Sequence, residues 1–158
     1  MNLDFYQFHL NTKILFQAGI LQNFQNELEQ LKLRKYFLVC DPYFAENGVA
    51  AKLKQSLSAA GCELVGIFSE VPPNSELKVV ERCSEQAKLS GAEVMIALGG
   101  GSSMDTAKTA NILFSLGGDL VEDYSGTQTL GEPLLPLIAI PTTAGTGSEV
   151  TAVAVILD

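Results

Sequence analysis

The sequence predicts an α/β fold, a doubly wound and mostly parallel sheet preceded by a β ribbon. Short apolar runs alternate with stretches of helical period along the chain. Two of those runs, YFLVC at residues 36–40 and LPLIAI at 135–140, are continuous, as in strands buried on both faces. Residues 93–114 (EVMIALGGGSSMDTAKTANILF) read as an apolar strand, 93–98, that meets three glycines and passes straight into an amphipathic helix.

Residues 5–16 (FYQFHLNTKILF) set aromatic and β-branched side chains in rough alternation, which predicts two strands turning near Asn11 and ended by Gly19. Residues 21–33 bring Leu21, Phe24, Leu28 and Leu31 to helical spacing and predict a surface helix. Strand 36–40 closes on Asp41-Pro42. After an Asn47-Gly48 turn, residues 49–60 predict a helix closed by Gly61, and residues 63–68 a strand. Pro72 and Pro73 break the chain. Asn74 or Ser75 then caps a helix with Leu77, Val80, Cys83 and Ala87 on its buried side, ending near Gly91. Residues 116–133, dominated by glycine and polar side chains, predict a long loop near the ligand mouth. After strand 135–140, residues 150–157 predict a last apolar strand. A domain closing on a strand, with no helix behind it, is expected to be the first part of a longer protein.

Composition limits the function. The chain has 158 residues, 47% of them hydrophobic, enough for one domain with a core. No apolar run reaches the roughly 20 residues of a membrane helix. Asp4 stands where a signal peptide would be basic, so a cytoplasmic protein without a membrane partner is expected. The net charge of −8, with ten scattered Lys and Arg, argues against a nucleic-acid backbone as partner. Cys40, Cys62 and Cys83 form no C-x-x-C pair and read as reduced packing residues. His9 is the only histidine, and no complete metal site can be assembled.

The glycine stretch carries the chemistry. Without Cβ atoms, Gly99, Gly100 and Gly101 can take φ > 0 and let a ligand approach the main chain. The following helix aims its first N–H groups and the positive end of its dipole at the same loop, so a phosphate is the expected anion. A plain tight turn would use the same glycines. Ser102 and Asp105 have two readings, a capping box that satisfies those N–H groups or groups that face the ligand. Asp41, at the carboxyl end of a buried strand, either takes ribose hydroxyls, favouring NAD over NADP, or starts a solvated turn. Thr142, Thr143, Thr146 and Ser148, with Gly145 and Gly147, offer donors at another strand end, suited to phosphate, ribose or carboxamide, or form a hydroxyl-rich surface turn.

ALGGGSSMDTAK at 97–108 and AIPTTAGTGSEVT at 139–151 closely resemble the two signature stretches of the iron-containing (group III) alcohol dehydrogenases. VPPN at 71–74 and FYQFHLNTKILFQAG near the start extend the likeness over essentially the whole chain. The resemblance implies a Rossmann-like, dehydroquinate synthase-like N-terminal domain spanning residues 1–158 that binds NAD(P), with a helical metal-binding domain absent from this chain. It implies that Gly99, Gly100, Gly101 and Ser102 lie on the pyrophosphate and Asp105 near the nicotinamide. It puts Thr142, Thr143 and Thr146 along the cofactor, Asp41 on the adenosine ribose and Asn74 on the adenine side. The family usually has Pro where this chain has Ser75, and Phe-Gly-x-Gly where it has FQAG.

The resemblance also implies a divalent metal, iron (Fe2+) or in some members zinc (Zn2+), held in the helical domain by one Asp and three His that nothing here matches. It acts as a Lewis acid while hydride passes from the alcohol to the nicotinamide. The expected function is cofactor binding for oxidation of an alcohol to an aldehyde or ketone, without turnover by this chain alone and without access to the alcohol substrate. Homo-oligomers are expected, with residues 5–16 at the interface. A stand-alone nucleotide-binding or interaction module is the rival from another class, and a relative of glycerol dehydrogenase or dehydroquinate synthase is a lesser alternative.

Overall fold

The computed structural model describes residues 12–126 and 130–157. Its four strands are β1 (Lys35–Cys40), β2 (Glu63–Phe68), β3 (Val94–Gly99) and β4 (Leu137–Pro141), all parallel in the order β2-β1-β3-β4. The helices are α1 (Gln25–Leu31), α2 (Pro42–Glu46), α3 (Val49–Ala59), α4 (Leu77–Ser90), α5 (Gly101–Leu116) and α6 (Leu120–Tyr124).

The continuous apolar runs are explained by a core on each face of the sheet. Phe37 and Val39 of β1 point to one side, with Met95 and Ala97 of β3, and pack against Val80, Cys83 and Ala87 of α4 and Met104 and Ala107 of α5. Tyr36, Leu38 and Cys40 point to the other, with Val94, Ile96 and Leu98, and meet Leu28 of α1 and Leu53 and Leu57 of α3. Successive side chains of a strand alternate faces, so a strand between two layers of helices has no polar position.

Winding reverses at β1. The chain leaves β1 for β2 on one side and returns past it to β3 on the other, so β1 and β3 are the neighbours between which the sheet changes direction. Their carboxyl ends are level, Cys40 opposite Leu98, which sets Asp41 beside the glycine turn. In open α/β sheets the crevice at such a switch point is where ligands bind.

Several expectations need correction. The ribbon at 5–16 lies outside the described residues up to 11, and 12–16 form no strand. The helix expected over 21–33 is a 3-10 turn (Ile20–Gln22) and the shorter α1, because Asn23 leaves helical geometry between them. Phe24 and Leu28 are buried, whereas Leu31 is exposed. Neither Asn74 nor Ser75 caps α4. The cap position is Glu76, without a side-chain bond, since Asn74 sits at φ 62 and the Ser75 hydroxyl is engaged elsewhere. The loop at 116–133 contains α6, started by Asp119, whose carboxylate accepts from the N–H groups of Val121 and Glu122. Strand 135–140 is half-buried. The strand expected at 150–157 is a single bridge between Leu157 and Glu76, with Val153 and Val155 exposed.

Candidate functional site: a cleft at the switch point

β3 ends on Gly99, whose φ of 146° is a conformation that side chains rarely adopt. A Cβ there would fall 2.8 Å from Ser103 Cβ and 3.5 Å from Asp41 Oδ2. The other two glycines need no positive φ, contrary to expectation. Gly100 is extended at φ −88° and precedes the helix, and Gly101 is its first residue. They are small because the hydroxyl loop lies over them. A Cβ on Gly100 would be 3.1 Å from Thr143 Oγ1, and one on Gly101 3.4 Å from Ser148 Oγ.

The start of α5 has no side-chain cap. The capping box is not formed, because Ser102 is already the second helical residue and its Oγ accepts instead from the N–H of Asn74 at 3.1 Å. The N–H groups of Gly101, Ser102 and Ser103 therefore have no side-chain acceptor among the described residues, as an anion site at a helix start requires. The first bond of the helix runs from Met104 N to Gly100 O.

The cleft in front of these groups has a volume of about 600 Å³. Asp41, Pro42 and Tyr43 form one side, Pro72 and Pro73 another, and Thr142 and Thr143 the third. Asp41 is half-buried and caps α2, its Oδ1 accepting from Phe44 N at 3.3 Å, with Oδ2 turned to Gly99. One oxygen of Asp41 thus starts a turn, while the other faces the glycine loop. Thr142 N donates to Gly99 O at 2.9 Å and ties the hydroxyl loop to the end of β3. Thr146 Oγ1 accepts from Ser148 N and donates to Glu149 Oε2, both at 3.4 Å.

Asn74, Asp105, Thr146 and Ser148 are not among the residues that line the cleft, and Asp105 faces elsewhere. It is buried one turn into α5, its Oδ2 accepts from Val155 N at 3.1 Å, and its Oδ1 stands 3.1 Å from Lys108 Nζ. Lys108 was not singled out from sequence, although a lysine three positions after an aspartate among small apolar residues is a signal for a buried pair. The Thr106 hydroxyl, fully buried, donates to Ser102 O at 2.8 Å. Its one proton is thereby used, so Ser75 Oγ is the donor in the bond those two hydroxyls share. Ser75 stands where the resemblance implies Pro, and the hydroxyl has a partner here.

Cys40, at the end of β1 behind Asp41, has its thiol pushed up to about 11, by burial first and the Asp41 charge second. A larger cavity of about 730 Å³ lies across α5, among Ile112, Leu120, Val121, Leu137 and Ile156. Its lining is mainly aliphatic, and the helix starts that reach it are already engaged, Leu77 N donating to Leu157 O and Val121 N to Asp119 Oδ1, unlike the uncapped start of α5. Among the described residues no three His, Cys, Asp or Glu side chains converge to hold a metal ion, and none of the helices is long and apolar enough to cross a membrane.

The family model for iron-containing alcohol dehydrogenase matches residues 11–158. A sulfoacetaldehyde reductase of Bilophila wadsworthia is 39% identical over 146 residues, covering 92% of this chain and 37% of that protein. A choline dehydrogenase of Bacillus subtilis is 40% identical over 156 residues, 98% of this chain and 39% of that one. Among solved structures, sulfoacetaldehyde reductase from Bifidobacterium kashiwanohense in complex with NAD+ superposes with a TM-score of 0.83 at 33% identity, over 96% of this chain and 40% of that one. NADH-dependent butanol dehydrogenase A from Thermotoga maritima does so with a TM-score of 0.84 at 31% identity, over 96% and 38%. The chain thus spans about two fifths of the length of these relatives. With a match from residue 11 to residue 158, it belongs to the iron-containing alcohol dehydrogenase family.

Proposed function

We propose that this chain is the dinucleotide-binding portion of an iron-type alcohol dehydrogenase and that NAD(H) occupies the cleft between Asp41 and the hydroxyl loop. The observation that carries this reading is the uncapped start of α5, which faces a cleft at the sheet's switch point over glycines that leave the main chain bare. The pyrophosphate would accept from the N–H groups of Gly101, Ser102 and Ser103 and from the Ser102 hydroxyl. Asp41 would accept from the adenosine ribose and repel a 2′-phosphate, which makes NADP the poorer ligand. Asn74 lies on the adenine side. Thr142, Thr143, Thr146 and Ser148 line the nicotinamide half, with Asp105 beneath them.

NAD, when bound, supplies the acceptor for hydride from the alcohol. The chain's own residues bind and orient it. The family's iron or zinc does not fit the described residues, which bring no donor set together, so no step is assigned to it and no turnover is expected from these residues alone. The second reading is a nucleotide-binding module without catalysis. An alcohol or aldehyde as substrate, as the relatives' names describe for those proteins, belongs to the first reading only. Three buried free thiols support a reducing compartment such as the cytoplasm. Exposed Ile14 and Phe16 support association of two copies near the N-terminus.

Isothermal titration with NADH tests the reading. Saturable heat is expected, lost in Gly100→Asp, which puts a carboxylate against Thr143 in the cleft. Absence of heat at millimolar NADH overturns it.

A further inference from the structure

Lys108 is the most heavily engaged side chain near the cleft, and cofactor contact does not account for it. Its ammonium donates to the carbonyls of Ser148 at 2.9 Å, Thr151 at 3.4 Å and Val153, and it pairs with Asp105 at 3.1 Å. Asp105 in turn accepts from Val155 N. Two adjacent turns of α5 thus hold the main chain at 148, 151, 153 and 155. That segment forms no sheet ladder, so these bonds replace the one that would have fixed it. The side chains are mostly buried, 17% exposed for Lys108 and 11% for Asp105, where charged hydrogen bonds are strong and weakly screened by salt.

The held segment begins at the hydroxyl loop. Ser148 presents its carbonyl to Lys108 and its Oγ toward Gly101, 3.4 Å from where a Cβ would stand. Asp41 faces Gly99 at the other end of the glycine turn. A diphosphate centred on the helix start therefore has one sugar toward Asp41 and the other toward Thr146 and Ser148. Lys108 acts on only the second of these ends.

We propose that Lys108 is a positioning residue for the nicotinamide half of the dinucleotide. It fixes the height of the hydroxyl loop over Gly101 from below, through main-chain carbonyls, without touching the ligand. This rests on the cleft being the dinucleotide site. Removing the ammonium frees the loop, and a ligand that needs the loop must then order it on binding. A ligand confined to the Asp41 end pays no such penalty.

The test is titration of the 158-residue chain and its Lys108→Met variant with two probes, NADH and AMP, with circular dichroism to check folding. Lys108→Met keeps an unbranched side chain, one atom shorter, and removes its donors. The expected result is a loss of NADH affinity of about tenfold with AMP affinity unchanged. Lys108→Arg, which keeps the charge but cannot direct donors to three carbonyls in the same way, is expected to fall between the two. Equal losses for both probes, no loss for either, or failure of both variants to fold would overturn the assignment. If the unaltered chain binds AMP and NADH equally well, the loop takes no part and Lys108 has nothing to position. If it binds neither, the dinucleotide reading itself fails.

Discussion

The backbone N–H of Asn74 donates to Ser102 Oγ at 3.1 Å, joining two segments 28 positions apart. The bond gives the Ser102 hydroxyl a direction. Its oxygen is used as an acceptor, and its proton, with no acceptor among the described residues, can donate into the cleft. Behind it, Ser75 donates to Thr106 and Thr106 to the Ser102 carbonyl, so the turn after Pro73 and the start of α5 form one hydrogen-bonded unit.

Ser102→Ala removes the acceptor for Asn74 and the donor to the phosphate together. A loss of about 1 kcal/mol in stability is expected from the first, read by urea denaturation. A drop of about tenfold in NADH affinity is expected from the second, read by calorimetry.

Gly99→Ala is expected to be worse for folding than Gly100→Ala. At Gly99 the new methyl meets Ser103 Cβ at 2.8 Å on a backbone with φ of 146°, and such strain costs on the order of 1–3 kcal/mol. At Gly100 the backbone is extended and the methyl meets only the Thr143 hydroxyl, at 3.1 Å. Denaturation midpoints of the two variants measured side by side decide the order.

Asp41→Asn separates the two tasks of that carboxylate. Asparagine is as good a helix cap as aspartate, so α2 and overall stability should change little. The negative charge beside Gly99 is gone, and the preference for NADH over NADPH should narrow. An unchanged ratio of the two dissociation constants would mean that Asp41 does not meet the ribose.

Glu93 makes stability depend on pH. Its Oε2 accepts from the backbone N–H groups of Arg34 at 2.7 Å and Lys35 at 3.0 Å, and those bonds, with Lys35 adding its charge, hold the carboxyl below its ordinary value. A carboxyl with a lower pKa when folded stabilises the fold above its unfolded pKa, and that contribution is lost as pH falls through the folded value. Glu93→Gln is therefore expected to destabilise the chain at neutral pH and to weaken the decline of stability in acid. Melting temperatures of both proteins between neutral and acid pH would show it.

Cys83 is fully buried, and burial pushes its thiol up to about 12, while that of Cys40 stands at about 11. A thiolate is the reactive form. Neither cysteine should react with a thiol-specific disulfide reagent at pH 8 in the native state, and both should do so in denaturant. Prompt native-state labelling at either position, located by peptide mass, would contradict the packing described.

Much of this protein is legible along the chain because the signals are local. Strands β1 and β3 announce themselves by unbroken apolar runs, and the glycine stretch marks the turn where bare backbone meets a helix start. The aspartate after β1 and the first hydroxyls after β4 stand at strand ends that a parallel sheet brings to one edge, so sequence order alone brings Asp41, Thr142 and Thr143 to the cleft around Gly100, Gly101 and Ser102. What local signals could not supply was the choice among partners. Ser102 reads as a cap until Asn74 arrives from the preceding turn to occupy it, and residues 150–157 read as a strand because nothing in their own pattern reveals Lys108 and Asp105 waiting on α5. Apolar periodicity records only which side of a segment is dry, whereas a hydrogen bond between residues 28 or 40 positions apart exists only once packing has set two backbones at bonding distance.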